Sequence, residues 1–285
     1  MTASASANEA QVEYWNTRGG GTWVRFQDAL DRQIEPLGLA AMKTLKPEKG
    51  ERILDIGCGC GQTSLDLASR VGGTGSVLGV DISKPMLEVA RQRPLPARDS
   101  HVTFELRDAQ SDDLGQERFD AVFSRFGVMF FSDPVAAFAN IRKSLKPTGR
   151  LTFVCWRPLK QNPWMQAPLE VALPLLPPMA PPDPTAPGPF AFADAGRVES
   201  ILTAAGFGSV KVSAFDTAIG GGDLEQTLEL ALNLGPLGAA LRENPERAEM
   251  VVGVVRDLLS KYATPNGVLM PAAVWIVAAL SKSAG

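Results

Sequence analysis

LDIGCGCGQTS, Leu54 to Ser64, sets three glycines in five positions directly behind a short apolar run. A strand ending in a glycine-rich turn that opens a helix lets backbone N–H groups and the helix N-terminus approach a polar ligand group closely. The dinucleotide fingerprint requires the spacing GxGxxG. Here the glycines fall at Gly57, Gly59 and Gly61, with Gln62 where the last should stand. The GxGxG spacing alone discriminates weakly between ligands, so the residues around it must decide.

Outward from the loop, residues 52 to 156 alternate short apolar runs with amphipathic segments, which predicts a doubly wound α/β unit with a mainly parallel sheet. The strands are RILDI, SVLGV, VTFEL, FDAVFS and RLTFVCW. Between them GQTSLDLASRV and SKPMLEVARQR have helical spacing. DPVAAFANIRKSLKP offers Asp133 as N-cap, Pro134 at the first helical position, and Val135, Phe138, Ile141 and Leu145 on one face.

TWVRFQDALDRQIEPLGLAAMKTL, before the first strand, reads as one or two helices over an edge or the mouth of the sheet. After Trp156 comes a segment holding half of the chain's 22 prolines, which predicts an irregular excursion. A disordered linker suits that composition. Trp164, Phe190 and Phe192 argue instead for a partly packed lid, since linkers rarely expose large apolar side chains. DAGRVESILTAAGF then reads as a helix, SVKVSAF as a strand, two further stretches as helices, and the apolar run AAVWIVAAL as a last strand buried on both faces. A single domain over 1–285 is expected, with a helical cap at 1–46, the proline-rich lid at 157–193 and a helical insertion at 220–268.

Asp81 ends the second strand, 20 residues after Gly61, where a carboxylate can accept hydrogen bonds from two ribose hydroxyls. A helix cap is the alternative, but Ser83 is expected to fill that place. Asp108 follows the third strand, where it can accept from an adenine amino group while Ala109 presents backbone; a solvated loop carboxylate fits nearly as well. Asp55 can orient loop amides, bond a ligand ammonium or simply tie down the turn.

ERILDIGCGCGQTSLDLA, GSVLGVDISKPMLEVAR, VTFELRDAQ, FDAVFSRFGVMFF and LKPTGRLTFVCW together resemble the ordered motifs of class I S-adenosylmethionine-dependent methyltransferases, in the branch of the ubiquinone and menaquinone C-methyltransferases. The resemblance covers about residues 50 to 156 specifically and the rest more loosely. It implies a Rossmann-like seven-stranded sheet in the order 3-2-1-4-5-7-6, strand 7 antiparallel. It further implies that Gly57, Gly59 and Gly61 line the methionine side of S-adenosylmethionine, that Asp55 and Gln62 also belong to the cofactor site, and that Asp81 takes the ribose. Ile82 and Met86 would flank the adenine, Asp108 and Ala109 would read its amino edge, and Ser124 would sit near the methionine portion. Cys60 departs from the small residue usual there.

A sulfonium methyl is already activated, so the protein's main task would be to align the acceptor and exclude water. The single histidine, His101, precedes the third strand, away from the carboxyl ends where ligands bind, and reads as a surface residue. Weak candidates for a catalytic side chain are Tyr14 and Arg125; ordinary packing of the N-terminal helix accounts for Tyr14 somewhat better. Trp15, Trp23, Phe126, Met129, Trp156, Trp164 and Phe190, with Tyr14, make the expected acceptor pocket. An aromatic pocket poor in acids suits a small, hydrophobic or readily ionised acceptor such as a thiol, phenol or quinol.

The net charge of −3 and a pI near 5.4, with basic residues scattered, give no footprint for nucleic acid, and SRFGVMFF lacks the Asn-Pro-Pro-aromatic grip on a flipped base. The N-terminus lacks a signal-peptide pattern, no apolar stretch reaches spanning length, and three cysteines without CxxC spacing indicate neither disulfides nor zinc. A cytoplasmic protein without a metal site is expected. A homo-oligomer is compatible with the sequence, which does not specify one. An NAD-dependent oxidoreductase shares the sheet and the ribose acid but needs the other glycine spacing. A non-catalytic cofactor-binding protein of the same fold is the other alternative.

Overall fold

The computed structural model describes residues 3–179 and 183–281; residues 180–182, inside the proline-rich excursion, and both chain ends lie outside the described residues. Seven strands form the central sheet: β1 (Arg52–Ile56), β2 (Ser76–Asp81), β3 (Val102–Leu106), β4 (Phe119–Arg125), β5 (Leu145–Trp156), β6 (Phe207–Gly220) and β7 (Gly267–Ser281). Their order is β3-β2-β1-β4-β5-β7-β6. The first five pair in parallel and β7 runs antiparallel to both neighbours, as the resemblance implied. A two-residue strand, Ala263–Thr264, folds back on the start of β7 as a short hairpin.

The order follows from what each strand can bury. Ile53, Leu54, Val122, Phe123, Phe153 and Val154 are wholly enclosed, so β1, β4 and β5 carry apolar side chains on both faces and must lie centrally. Eleven helices surround the sheet among the described residues: α1 (Ala3–Asn16), α2 (Arg18–Arg25), α3 (Gln27–Leu45), α4 (Gln62–Val71), α5 (Lys84–Gln92), α6 (Pro134–Ser144), α7 (Pro163–Ala172), α8 (Ala195–Ala204), α9 (Leu224–Asn233), α10 (Gly235–Glu243) and α11 (Ala248–Ser260). None is long and apolar enough to cross a membrane.

Several expectations need correction. In α6, Asp133 caps as expected by accepting from Ala136 N–H at 3.0 Å, but Val135 points outward and Ala137 joins Phe138 and Ile141 in the core. β5 begins at Leu145 rather than Arg150 because its first residues pair with Phe119 across a register shift. The span between β6 and β7 holds three helices, not two, and packs with α7 into a second apolar cluster around Leu237, Val251, Val255 and Leu259.

The proline-rich excursion is not irregular throughout. Pro163 opens α7 where no N–H is needed, and Pro168 sits inside it. Packing against α10, α11 and β7 outweighs the lost bond. Asn162 fixes the start: its Nδ2 donates to the Ala273 carbonyl at 3.0 Å and its Oδ1 accepts from Ala273 N–H at 2.9 Å. Phe192 is buried against Phe138 and Phe153, as an ordered segment requires.

Candidate functional site

The glycine loop sits on a buried carboxylate. Asp55, at 0 % exposure, accepts from Thr63 Oγ1 and Ser64 Oγ, both at 2.7 Å, and so ties the first turn of α4 beneath the loop. Burial pushes its pKa up to about 6 against the pull of those hydroxyls and of Arg125. At Gly57 (φ 65°) the chain passes so close to the segment after β4 that an added Cβ would stand 2.7 Å from Gly127 Cα.

Above the loop lies a cavity of about 200 Å³ at the carboxyl ends of the strands. Gly57, Gly59, Gln62, Asp81, Ile82, Met86, Asp108 and Ala109, the residues expected to hold the cofactor, all line it. Asp55, Gly61 and Ser124 do not. Asp55 ties down the turn, and Gly61 (φ 87°) faces Ala90 and Phe104. Ser124 is enclosed beneath the site, its Oγ accepting from Gly127 N–H at 3.2 Å.

Asp81 accepts from Gly59 N–H through Oδ2 and from Ser83 N–H through Oδ1, both at 2.8 Å, which leaves each oxygen a further lone pair. Burial raises its pKa, opposed by these backbone donors. Ser83 does not cap α5 with its side chain: the hydroxyl donates to the Trp15 carbonyl at 2.7 Å. Asn16 takes the task from another helix, its Oδ1 accepting from Lys84 N–H at 2.9 Å while its Nδ2 donates to the Ile82 carbonyl at 2.8 Å. Asp108 Oδ1 accepts from Gln110 N–H at 2.9 Å, and its Oδ2 accepts from Ser111 Oγ at 3.0 Å and from the Asn8 amide. The buried Ala109 N–H has no acceptor among the described residues.

Beyond the loop the cavity opens into an aromatic chamber. Phe126 and Trp156 stack with ring centroids 4.2 Å apart and planes 9° from parallel, and Trp156 meets Trp164 at 5.0 Å. Trp15 stands edge-on to Phe130 at 5.0 Å and to Trp23 at 6.3 Å. Phe126 holds its ring there at φ 63°, a left-handed conformation costly for a bulky side chain. Met129 completes this wall.

Two expected residues fall outside the chamber. Tyr14 is 40 % exposed and packs edge-on to Trp15, because its helix turns that face to solvent. Phe190 packs on the main core, and its neighbour Pro189 reaches the cavity instead. Arg125 is present: its Nη1 donates to Gln62 Oε1 and its Nη2 lies 3.3 Å from Asp31 Oδ1. Asp31 also receives Arg93 Nη1 at 2.8 Å and Gln27 Nε2 at 3.1 Å.

Asp31, Asn8, Arg107, Met165 and Leu234 line the cavity without having been anticipated. Asp31 had a legible signal, a carboxylate next to Leu30 and three residues before Ile34 on the apolar stripe of α3. The others come from long-range packing. Cys58, Cys60 and Cys155 are free and buried, and burial pushes the Cys60 thiol up to about 12, so it is neutral. His101 is exposed at the start of β3, the end of the strand away from the cavity.

Residues 53–149 match the family described as methyltransferase domain (Methyltransf_25). Aklanonic acid methyltransferase DauC of Streptomyces sp. (strain C5) is 34 % identical over 41 % of this chain and 54 % of its own length. The ubiquinone/menaquinone biosynthesis C-methyltransferase of Paraburkholderia phymatum is 37 % identical over 39 % of this chain and 47 % of its own. The chain spans about half the length of such relatives. Nocamycin O-methyltransferase of Saccharothrix syringae extends further, 27 % identical over 81 % of this chain and 85 % of its own. Phosphoethanolamine N-methyltransferase 2 of Haemonchus contortus, solved with phosphomonomethylethanolamine and S-adenosylhomocysteine, shares the fold at a TM-score of 0.54 and 21 % identity, over 87 % of this chain and 53 % of that one. The glycine loop and the parallel strands β1 to β4 beneath it fall within this match, so residues 53–149 are similar to a methyltransferase domain.

Proposed function

We propose that the protein transfers the methyl group of S-adenosylmethionine to a small acceptor that is hydrophobic or readily ionised, such as a thiol, phenol or quinol. One observation carries this reading: a single cavity joins the strand-end cradle around Asp81 and Ala109 to the aromatic chamber around Phe126 and Trp156.

The residues present fit the cofactor. The unpaired Ala109 N–H suits a ring nitrogen, and Asp81 keeps lone pairs for ribose hydroxyls. Gln62 and Thr63 line the cavity at the start of α4, where backbone N–H groups lack helical partners and suit an anionic end. Gly57 and Gly59 leave the cradle open to a thioether-sized group. When bound, S-adenosylmethionine supplies an activated methyl. The chain's own residues then orient and desolvate: Ile82 and Met86 hold the base, while Trp15, Trp23, Phe126, Met129, Trp156 and Trp164 exclude water from the acceptor. A readily ionised acceptor needs no base from the protein. The family match and the Gln62 side chain, held by Arg125 where a dinucleotide loop has its last glycine, favour this cofactor over NAD.

The test is calorimetry with S-adenosylhomocysteine and NADH, followed by a product assay across thiols, phenols, quinols and amines. Tight S-adenosylhomocysteine binding, weakened roughly 10- to 100-fold in Asp81→Ala through loss of charge-assisted hydrogen bonds, is expected. Binding without S-adenosylhomocysteine formation from any acceptor would mark a non-catalytic protein of this fold. Methylation of polymers or strongly basic amines alone would sink the acceptor assignment.

A further inference from the structure

Resting on that reading, we propose that Arg125 makes the aromatic chamber selective for an anionic acceptor, a planar aromatic carboxylate or phenolate, and that it binds the acceptor's charge directly.

The sheet order separates the charges of the cavity. Asp81 and Asp108 stand at the ends of β2 and β3, on one side of β1. Arg125 ends β4, on the other side, about 10 Å or more away at the usual strand spacing. Arg107, the other cavity-lining cation among the described residues, is held at the β3 end by Glu105 and the Asp113 carbonyl. In the chamber itself the charged side chains are Arg125 and Asp31. Asp31 is shared between Arg125 and Arg93, and the other carboxylates that act on Arg125, Asp55 and Asp66, lie outside the cavity lining, so Arg125 is the cation that faces the chamber.

An aromatic box alone would welcome an ammonium through cation–π attraction. A buried guanidinium within it reverses that preference. Arg125 has a side chain only 9 % exposed, and its partners Gln62 and Asp31 leave Nε–H and one N–H on each terminal nitrogen without an acceptor among the described residues. Such unspent donors on a fixed fork suit a carboxylate or phenolate oxygen. The fork is held in place from behind: Gly38 of α3 faces it, and an added Cβ would stand 3.1 Å from Arg125 Cδ. The stacked pair Phe126 and Trp156 supplies a flat wall beside it, kept there at the expense of a left-handed Phe126.

In the step this implies, an acceptor oxygen already bearing its negative charge attacks the sulfonium methyl carbon of S-adenosylmethionine. The O–C bond forms as the C–S bond breaks, the bonding pair stays on sulfur as the neutral thioether, and no proton is released. Arg125 orients that oxygen and lets the acceptor enter as an anion. The cofactor's own carboxylate has the start of α4 available to it.

The test uses the full chain and 2-naphthoate against 2-naphthylmethylammonium, titrated calorimetrically with and without saturating S-adenosylhomocysteine. The wild type is expected to bind the anion about tenfold or more tightly than the ammonium. Arg125→Gln should shrink that preference to about threefold or less, a larger change than any it causes in S-adenosylhomocysteine affinity through Gln62, and Arg125→Lys should keep its sign. Equal or better binding of the ammonium to the wild type would overturn the proposal, as would no binding of either probe. So would an Arg125→Gln defect that falls on S-adenosylhomocysteine and spares naphthoate, which would assign Arg125 to the cofactor. If Arg125→Gln does not fold, the wild-type preference and the lysine variant decide. A wild type that ignores S-adenosylhomocysteine yet prefers naphthoate would instead refute the methyl-transfer reading and leave the anion site standing.

Discussion

Asp55 keeps one carboxylate oxygen, Oδ1, without a partner among the described residues while Oδ2 serves Thr63 and Ser64. Its pKa of about 6 in the folded chain lies above the ordinary 3.8, so between roughly pH 4 and pH 6 the folded state binds more protons than the unfolded one. The associated stability is complete below pH 4 and is lost as pH rises through 6. A shift of about two units corresponds to about 3 kcal/mol. Asp55→Asn retains an acceptor for both hydroxyls and removes the titration. Its denaturant-derived stability is expected to gain on the wild type by about 2–3 kcal/mol between pH 4 and pH 7; parallel curves would refute the assignment. At this scale the sequence was legible where chemistry is local. Gly57, Gly59, Asp81 and Asp108 lie within a residue or two of strand ends, and strand ends are marked by composition. The pairing of Arg125 with Asp31 spans 94 residues, and no local pattern encodes it.

Helices and strands from β1 to β5 follow the alternation of apolar runs closely, because a strand buried on both faces has almost no freedom of composition. Elements fixed by another element's side chain escaped. α5 is capped by Asn16 of α1, and the start of α7 is fixed by Asn162, which joins it to β7. Asn162→Ala removes both bonds to Ala273 and strands its buried N–H, while the Ala273 carbonyl keeps Arg157 N–H at 3.1 Å. The expected cost is about 2–4 kcal/mol, read as a lower denaturant midpoint with an unchanged slope. A loss below about 1 kcal/mol would mean that packing alone places α7.

Over the whole molecule, α1 and α2 close the cofactor side of the cavity. Asn8 reaches Asp108, Asn16 bonds Ile82 and Lys84, and Gly20 nests between the Trp15 carbonyl and Ser83. If a bound nucleoside leaves past this closure, weakening it speeds departure. Asn16→Ala is therefore expected to raise the S-adenosylhomocysteine dissociation rate about fivefold in stopped-flow displacement, given roughly 1 kcal/mol for a lost cap. An unchanged rate would show that the ligand exits elsewhere. The matched family segment, 53–149, contributes the cradle together with Arg125, Phe126 and Met129 of the chamber, whereas Trp15, Trp23, Asp31, Trp156 and Trp164 come from outside it. The consequence is evolutionary: on the proposed reading, those chamber walls that α1 to α3, α7 and the end of β5 supply lie outside the matched segment and are open to change, by drift or by insertion, without touching the cradle.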